Sequence, residues 1–144
     1  MAGALSPRLR AILDALPLRP GLRLLEIGCG PGALARAAAA RIEGGHVLAI
    51  DRSARAIALA LAQGGAEMAA GRLAFRQVAA EDFTLLPGER PFDLAIAIRV
   101  GALDGRHPEA EAAARARIAA ALAPGGRLLI DGGAPLRELV LSPG

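Results

Sequence analysis

Two hydrophobic periods alternate along the chain. Short, nearly continuous apolar runs are typical of buried strands, and they alternate with longer segments in which apolar residues recur at helical spacing. The first helical segment begins at Ser6 and Pro7, a capping hydroxyl followed by a proline in the first turn, and ends before Pro17. The pattern predicts strands at residues 22–27, 46–50, 73–79, 92–98 and 127–131. It predicts further helices at residues 33–42, 53–63 and 108–122.

This alternation of strands and helices predicts an α/β fold. Strand, helix, strand repeated in this way forms a parallel sheet with helices on both faces, a three-layer, doubly wound architecture. The 144 residues contain no internal repeat or linker, so we predict a single domain over residues 1–144. Ligands of such sheets bind at the carboxyl ends of the strands, near the point where strand order reverses. The chemistry is therefore expected in the segments that follow the strands.

The segment after the first predicted strand is rich in glycine. Residues 25–32 read LEIGCGPG, so a strand ends in a turn that opens a helix. Glycine permits a tight turn and lets the backbone lie directly against a ligand, while the helix N-terminus offers amides to an anionic group. Nicotinamide and flavin enzymes use a similar turn, so the glycines alone do not identify the ligand. Asp51 ends the second strand about 20 residues later, where an acid can bind both hydroxyls of a ribose.

Together these features resemble the first motifs of class I S-adenosylmethionine-dependent methyltransferases. The form Glu-x-Gly-x-Gly-x-Gly, with Pro31 inside it, is similar to the family's first motif. The resemblance implies a Rossmann-like sheet with five parallel strands in the order 3-2-1-4-5, and S-adenosylmethionine as the cofactor. It implies that the methionine part of the cofactor is surrounded by Glu26, Gly28, Cys29, Gly30 and Gly32. It also implies that Asp51, with Arg52 beside it, binds the ribose.

Further segments extend the resemblance over roughly residues 21–133. Residues 78–83, VAAEDF, resemble the family's third motif, which holds the adenine, and we expect Ala80 and Glu81 to line it. Many relatives carry the acid where Ala79 stands, so the match is imperfect and exposed loop carboxylates are the alternative. Residues 91–94 and 122–128 resemble the fourth and fifth motifs, which fix the fold more than the chemistry.

The chain departs from the family pattern after the fourth and fifth strands. It lacks the Asn/Asp-Pro-Pro-Tyr/Phe signature of many amino-methylating members, so an adenine or glutamine amide acceptor is disfavoured. The thirteen residues after Asp131 are too few for a helix and the family's usual antiparallel hairpin. Residues 136–141 suffice for one extra edge strand, which would pair with the fifth strand or with a second copy, and we therefore expect a homodimer. A frayed tail is the alternative.

The catalytic candidates lie after the fourth strand. The resemblance implies little chemistry beyond placing the acceptor in line with an already activated methyl group, plus a base where the nucleophile is protonated. His107 is the best base by type, although a helix-capping or solvent-exposed role is equally compatible with its position before Pro108. Arg99 is expected to orient an anionic substrate or to contact the cofactor, unless it forms a structural ion pair with Asp82 or Asp104. Asp104 itself is the third catalytic candidate.

The composition argues against nucleic-acid-binding, disulfide-linked and membrane-spanning proteins. The 17 basic residues are all arginine, face 14 acidic residues and are scattered, which gives a net charge of +3 without a basic cluster. A nucleic-acid-binding surface would combine clustered basic residues with aromatic side chains, so we expect no nucleic-acid partner. Cys29 is the single cysteine, which excludes an internal disulfide and suits a reducing compartment. No apolar run reaches the roughly 18 residues of a membrane span. The first residues show no signal-peptide pattern, so we expect a cytoplasmic protein. We expect no metal site.

Three functions remain in competition. The leading hypothesis is a methyltransferase that acts on a small-molecule acceptor. The second is a module that binds S-adenosylmethionine without turnover of its own. The third, a nicotinamide-dependent oxidoreductase domain, is disfavoured by Pro31 in the glycine turn and by the lack of room for a substrate domain.

Overall fold

A six-stranded sheet forms the centre of the computed structural model, which describes residues 5–141. The strand order is β3-β2-β1-β4-β5-β6. Strands β1 to β5 pair in parallel, and β6 pairs antiparallel with β5. The strands are β1 (Arg23–Ile27), β2 (His46–Asp51), β3 (Leu73–Gln77), β4 (Phe92–Ala97), β5 (Leu122–Asp131) and β6 (Leu136–Leu139). The predicted α/β class and the order 3-2-1-4-5 are thereby confirmed.

Two helices begin at the serine caps that the sequence indicates. The Ser6 hydroxyl accepts a hydrogen bond from the amide of Leu9, and the Ser53 hydroxyl accepts one from the amide of Ala56, so both satisfy otherwise unpaired first-turn donors. The helices are α1 (Pro7–Ala15), α2 (Ala33–Arg41), α3 (Ala54–Gln63), α4 (Ala66–Ala69) and α5 (Pro108–Ala121). The short α4 and a 3-10 turn at Ala80–Asp82 were not predicted, because each is too short to show a hydrophobic period.

Hydrophobic side chains fill both faces of the sheet. Leu24 and Leu25, adjacent on β1, are fully buried in different clusters because successive strand residues point to opposite faces. Helices α1, α2 and α3 cover one face, while α5 covers the other through residues such as Ile118. Burial on both faces explains why β1, β2 and β4 consist of almost continuous apolar runs.

The fifth strand begins earlier than predicted. We expected residues 124–126 to turn the chain before a strand at 127–131, whereas β5 starts at Leu122. Its register with β4 shifts, since Phe92 pairs with Leu122 but Leu94 pairs with Arg127. The extra residues, which include Pro124, form an irregularity within the strand. Proline has no amide to donate to the ladder, so such a bulge is the place where a strand tolerates it.

The chain beyond β5 forms one edge strand within the same molecule. Leu128 pairs with Leu139, and Asp131 pairs with Leu136. The alternative of a frayed tail is therefore wrong for Leu136–Leu139, and the exposed edge of the sheet is β6 rather than β5. Residues 1–4 and 142–144, on which part of the leader and tail predictions fell, lie outside the described residues. Among residues 5–141, no helix is long and apolar enough to cross a membrane.

Candidate functional site

Two adjoining cavities open at the carboxyl ends of the central strands. The larger has a volume of about 450 Å³ and the smaller about 310 Å³. Gly28, which follows β1, and Arg99, which follows β4, line both cavities. Since β1 and β4 are neighbours at the point where strand order reverses, this is where the fold class places a ligand.

The glycine-rich turn forms the boundary between the cavities. The amides of Gly28 and Cys29 both donate to the carbonyl of Ile50, so the turn is fixed against the end of β2. Gly30 has φ +54°, and a Cβ atom there would meet no atom within 4 Å, so the backbone faces open space. Gly32 has φ +86°, and a Cβ atom there would lie 2.6 Å from the Phe75 ring. Glycine is therefore required at residue 32 for packing and leaves ligand space at residue 30.

Asp51 joins the two predicted cofactor motifs. One carboxylate oxygen accepts a hydrogen bond from the amide of Gly30 at 2.8 Å, and the other accepts one from the amide of Ser53 at 2.9 Å. Each carboxylate oxygen can accept a further bond, because a carboxylate has about four lone-pair sites. Asp51 lines the larger cavity and is only partly buried, so both oxygens can still serve as acceptors for a diol.

Glu26 is a buried acid with an unsatisfied carboxyl oxygen in the described part of the chain. Its residue is 3% exposed, and its Oε1 atom has no hydrogen-bond partner among the described residues. Burial, with a smaller contribution from the Asp51 charge, raises the pKa of Glu26 to about 8. An unpaired buried carboxyl costs free energy unless a ligand or water satisfies it. Because Glu26 lines the smaller cavity, this orphaned group indicates a site for a hydrogen-bond donor or a cation.

Cys29 is a small buried residue of the turn and not a candidate nucleophile. The residue is 7% exposed, and its Sγ atom lies 3.4 Å from the carbonyl oxygen of Gly30. Burial, followed by the charges of Glu26 and Asp51, raises the pKa of the Cys29 thiol far above its ordinary value. A thiol that stays protonated is a poor nucleophile.

The predicted adenine-side residues line the larger cavity. The 3-10 turn after β3 brings Ala80 and Glu81 to its wall, and Arg52 lines it as well. Sequence reasoning missed several small apolar residues of the same wall. These are Val78, Ala79, Val100 and Ala102. These small residues follow the ends of β3 and β4, and that pattern could have predicted a flat, apolar binding surface.

The three catalytic candidates occupy different surroundings. Arg99 lines both cavities and His107 lines the larger one, with a side chain that is 62% exposed and an Nδ1 atom 3.6 Å from Glu109. Asp104 lines neither cavity. Its carboxylate accepts from the Arg106 guanidinium at 2.9 Å, and although partial burial opposes ionisation, the hydrogen bonds from Arg106 outweigh it and lower the pKa of Asp104. The structure therefore brings Arg99 and His107 to the site and pairs Asp104 with Arg106.

Helix α1 supplies a wall that the sequence did not predict. The smaller cavity is lined by Ser6, Arg8 and Leu9 together with the glycine-rich turn. The Arg8 guanidinium forms a 2.7 Å ion pair with Asp131 at the carboxyl end of β5, so the start of α1 is tied to the sheet beside the cavity. The amphipathic pattern of α1 predicted a helix but gave no indication of which end would approach the site.

Comparison with known proteins places the chain in a family. The family described as "Methyltransferase domain" matches residues 24–126. Nocamycin O-methyltransferase of Saccharothrix syringae is 38% identical over 141 residues, which cover 95% of this chain and 48% of that protein. Protein-L-isoaspartate O-methyltransferase of Methylorubrum populi is 38% identical over 131 residues, 90% of this chain and 54% of that protein. The chain thus spans about half the length of the curated relatives it matches.

A solved structure supports the same assignment. Phosphoethanolamine N-methyltransferase 2 of Haemonchus contortus, in complex with S-adenosyl-L-methionine, superposes with a TM-score of 0.66 at 28% identity. The match covers 85% of this chain and 27% of that chain. The resemblance stated from the glycine-rich turn and Asp51 is confirmed, since the family match includes both and extends over more than half of the chain. The chain belongs to the methyltransferase domain family, with the class I α/β fold.

Proposed function

We propose that this domain binds S-adenosylmethionine and transfers its methyl group to an oxygen atom of a small molecule. The observation that carries the proposal is the pairing of two acids across one glycine-rich turn. Glu26 lines the smaller cavity and Asp51 lines the larger, and Gly28 lies between them. A ligand with an amino-acid end and a nucleoside end would satisfy both acids at once.

The residues present fit such a ligand. The Oε1 atom of the buried Glu26 carboxyl lacks a partner among the described residues, which suits the ammonium of a methionine moiety. Asp51 retains acceptor capacity for a ribose, and the apolar wall formed by residues such as Ala80 and Val100 suits a flat base. The open space beside Gly30 would admit the ligand against the backbone.

The main role of the protein in this reaction is then to position the cofactor and the acceptor relative to each other. When bound, the sulfonium supplies an activated methyl group. The glycine-rich turn and Asp51 would hold the cofactor in a fixed orientation, so that an acceptor meets the methyl in line. The exposed His107 at the rim of the larger cavity is the proposed base for an acceptor that carries a proton. Both curated relatives are named as O-methyltransferases, which supports an oxygen acceptor.

Titration calorimetry tests the cofactor half of the proposal. We expect S-adenosylmethionine and S-adenosylhomocysteine to bind with micromolar affinity, while NAD gives no response, because the turn and the acids fit the adenosyl amino acid. Tight NAD binding without a response to the adenosyl compounds would contradict the proposal and favour an oxidoreductase domain.

Transfer of labelled methyl from S-adenosylmethionine to a panel of small hydroxyl and carboxyl compounds tests the second half. Label incorporated by the wild-type domain, and lost in Asp51→Ala, supports a methyltransferase. Binding without transfer to any acceptor would favour the alternative, a module that holds the cofactor without turnover of its own.

We further propose a cytoplasmic homodimer that forms through β6. Val140, just beyond this edge strand, is 66% exposed, and an unpaired strand edge beside apolar side chains favours association. A two-fold axis perpendicular to β6 would pair the two edges as antiparallel strands. The lone, buried Cys29 thiol is compatible with a reducing cytoplasm.

Light scattering at tens of micromolar protein should give twice the mass of one chain. Val140→Lys should shift the protein to the mass of one chain, because a charge on the edge opposes strand pairing. Leu59→Lys, on α3 and 49% exposed, is the matched control and should leave the mass unchanged. A wild-type monomer under these conditions would contradict the dimer.

A further inference from the structure

Arg99 occupies the junction of the two cavities. It follows β4, lines both cavities and is exposed to solvent. Under the proposed function, the cofactor would lie along the two cavities with its methyl group near their junction. A side chain at this point therefore contacts whatever approaches the methyl group.

The backbone of Arg99 is held in a strained conformation. Its φ of +60° lies in the left-handed region, which costs a residue with a side chain roughly 1 kcal/mol or more. Two hydrogen bonds hold it there. The Arg99 amide donates to Asp131 at 3.0 Å, and the Arg99 carbonyl accepts from the Arg106 guanidinium at 2.7 Å. Strain that neighbouring groups fix in this way is typical of functional positions.

Two arginines near Arg99 have acidic partners, whereas Arg99 has none among residues 5–141. Arg8 is paired with Asp131, and Arg106 is paired with Asp104. Within residues 5–141, Arg99 forms no salt bridge, neither with Asp82 nor Asp104 nor with the cavity-lining acids. The acids that line the larger cavity are Asp51, Glu81 and Glu109. Arg52 on the wall of the larger cavity also forms no salt bridge within the described residues, but it does not line the smaller cavity. Of the arginines described at these cavities, Arg99 is the one that lines both, which places it at their junction.

We infer that the methyl acceptor carries an anionic oxygen group, a carboxylate or a phosphate, which Arg99 binds. The inference rests on the proposed function and adds the substrate class to it. The planar guanidinium matches either anion with two parallel hydrogen bonds. The anionic group binds the acceptor to Arg99, and a different oxygen of the acceptor is methylated, because an oxygen that is paired with arginine is a weaker nucleophile. Asp131 and Arg106 act as positioning residues, since they hold the Arg99 backbone, and Asp104 acts through Arg106.

Binding of matched probes to the domain saturated with S-adenosylhomocysteine tests the inference. The probes are 4-hydroxybenzoate, 4-hydroxyphenyl phosphate and the neutral 4-hydroxybenzamide, followed by ligand-observed NMR titration. We expect at least one anion to bind the wild type about tenfold more tightly than the amide, the effect of a charge-assisted contact. The stronger of the two anions identifies the group.

Two variants remove the side chain in different ways. Arg99→Gln keeps a polar side chain without the charge, whereas Arg99→Gly also relieves the strained φ, so one of the pair is expected to fold like the wild type. Both should reduce the anion preference to about threefold or less while the Kd of S-adenosylhomocysteine stays nearly constant. Arg117→Gln, the same change on an exposed residue of α5 that lines neither cavity, should keep the preference.

The outcomes separate the inference from the proposed function. No preference for either anion in the wild type, or a preference that survives in both Arg99 variants, would overturn the inference. A large loss of S-adenosylhomocysteine affinity in both variants would also overturn it and assign Arg99 to the cofactor carboxylate. Absence of S-adenosylhomocysteine binding to the wild type would instead contradict the proposed function.

Discussion

Asp51→Ala is expected to weaken S-adenosylmethionine binding by about a hundredfold or more. The variant removes two proposed charge-assisted hydrogen bonds to the ribose, each of which contributes on the order of 1.5–3 kcal/mol. It also removes the acceptor for the amides of Gly30 and Ser53, so the glycine-rich turn loses its link to the start of α3. Both effects act on the proposed cofactor site, and both lower the affinity for S-adenosylmethionine.

The matched control is Asp14→Ala. Asp14 is an exposed acid that pairs with Arg41 at 2.8 Å on the outside of the molecule, so its loss removes the same charge away from both cavities. Surface pairs of this kind contribute little, and we expect the affinity to remain at the wild-type value. Calorimetry gives the affinities, and circular dichroism checks that each variant is folded. An unchanged affinity in Asp51→Ala would show that the ribose lies elsewhere.

Glu26 is expected to make the ligand-free domain less stable as the pH rises from 4.5 to 8. The folded-state pKa of about 8 lies above the ordinary value of 4.5, because burial, and to a lesser degree the Asp51 charge, disfavours the ionised form. In this pH range the unfolded chain has released the proton that the folded chain still holds. Folding therefore binds a proton, and the free energy of unfolding decreases with increasing pH.

The size of this decrease is about 3–5 kcal/mol, from a pKa difference between 4.5 and about 8. The stabilising contribution is complete below pH 4.5 and lost once the pH exceeds about 8, where both states are ionised. Such a change is a large share of the stability of a small domain.

Denaturant unfolding of the ligand-free protein at several pH values measures the effect. Glu26→Gln cannot ionise, so the difference in unfolding free energy between the wild type and this variant should fall steadily with pH. Glu43→Gln, the same substitution on an exposed side chain, is the matched control. Parallel curves for the wild type and Glu26→Gln would show that Glu26 is ionised in the folded domain.

The residues of the proposed cofactor site could be named from the sequence because they belong to local motifs. The glycine-rich turn and Asp51 each follow a strand, and the carboxyl ends of parallel strands meet at one edge of the sheet. The capping residues Ser6 and Ser53 likewise act within one turn of their own helices. Roles of this kind depend on residues that are neighbours in sequence, so their pattern is visible without the fold.

The acceptor side depended on contacts between distant segments. Arg8 and Asp131 are separated by 123 positions. The two hydrogen bonds of the Arg99 backbone join the end of β4 to Asp131 at the end of β5 and to Arg106. From the sequence, Arg99 was expected to bind an anionic substrate or the cofactor, with an ion pair to Asp82 or Asp104 as the alternative. The structure shows neither ion pair among the described residues, and the Arg99 amide donates to Asp131. No periodicity reports such a contact.

Hydrophobic period and glycine placement are local physical constraints, so the amino-acid sequence was enough to predict the α/β class and the glycine-rich turn. The strand order came from the resemblance to the methyltransferase family. Three features required the packed chain: β6 pairs with β5, α1 forms a wall of the smaller cavity, and the buried Glu26 has an Oε1 atom without a hydrogen-bond partner among the described residues. Each of these depends on which surfaces meet when the chain packs. Burial of Glu26 in particular is set by elements from several parts of the chain, and that burial raises its pKa.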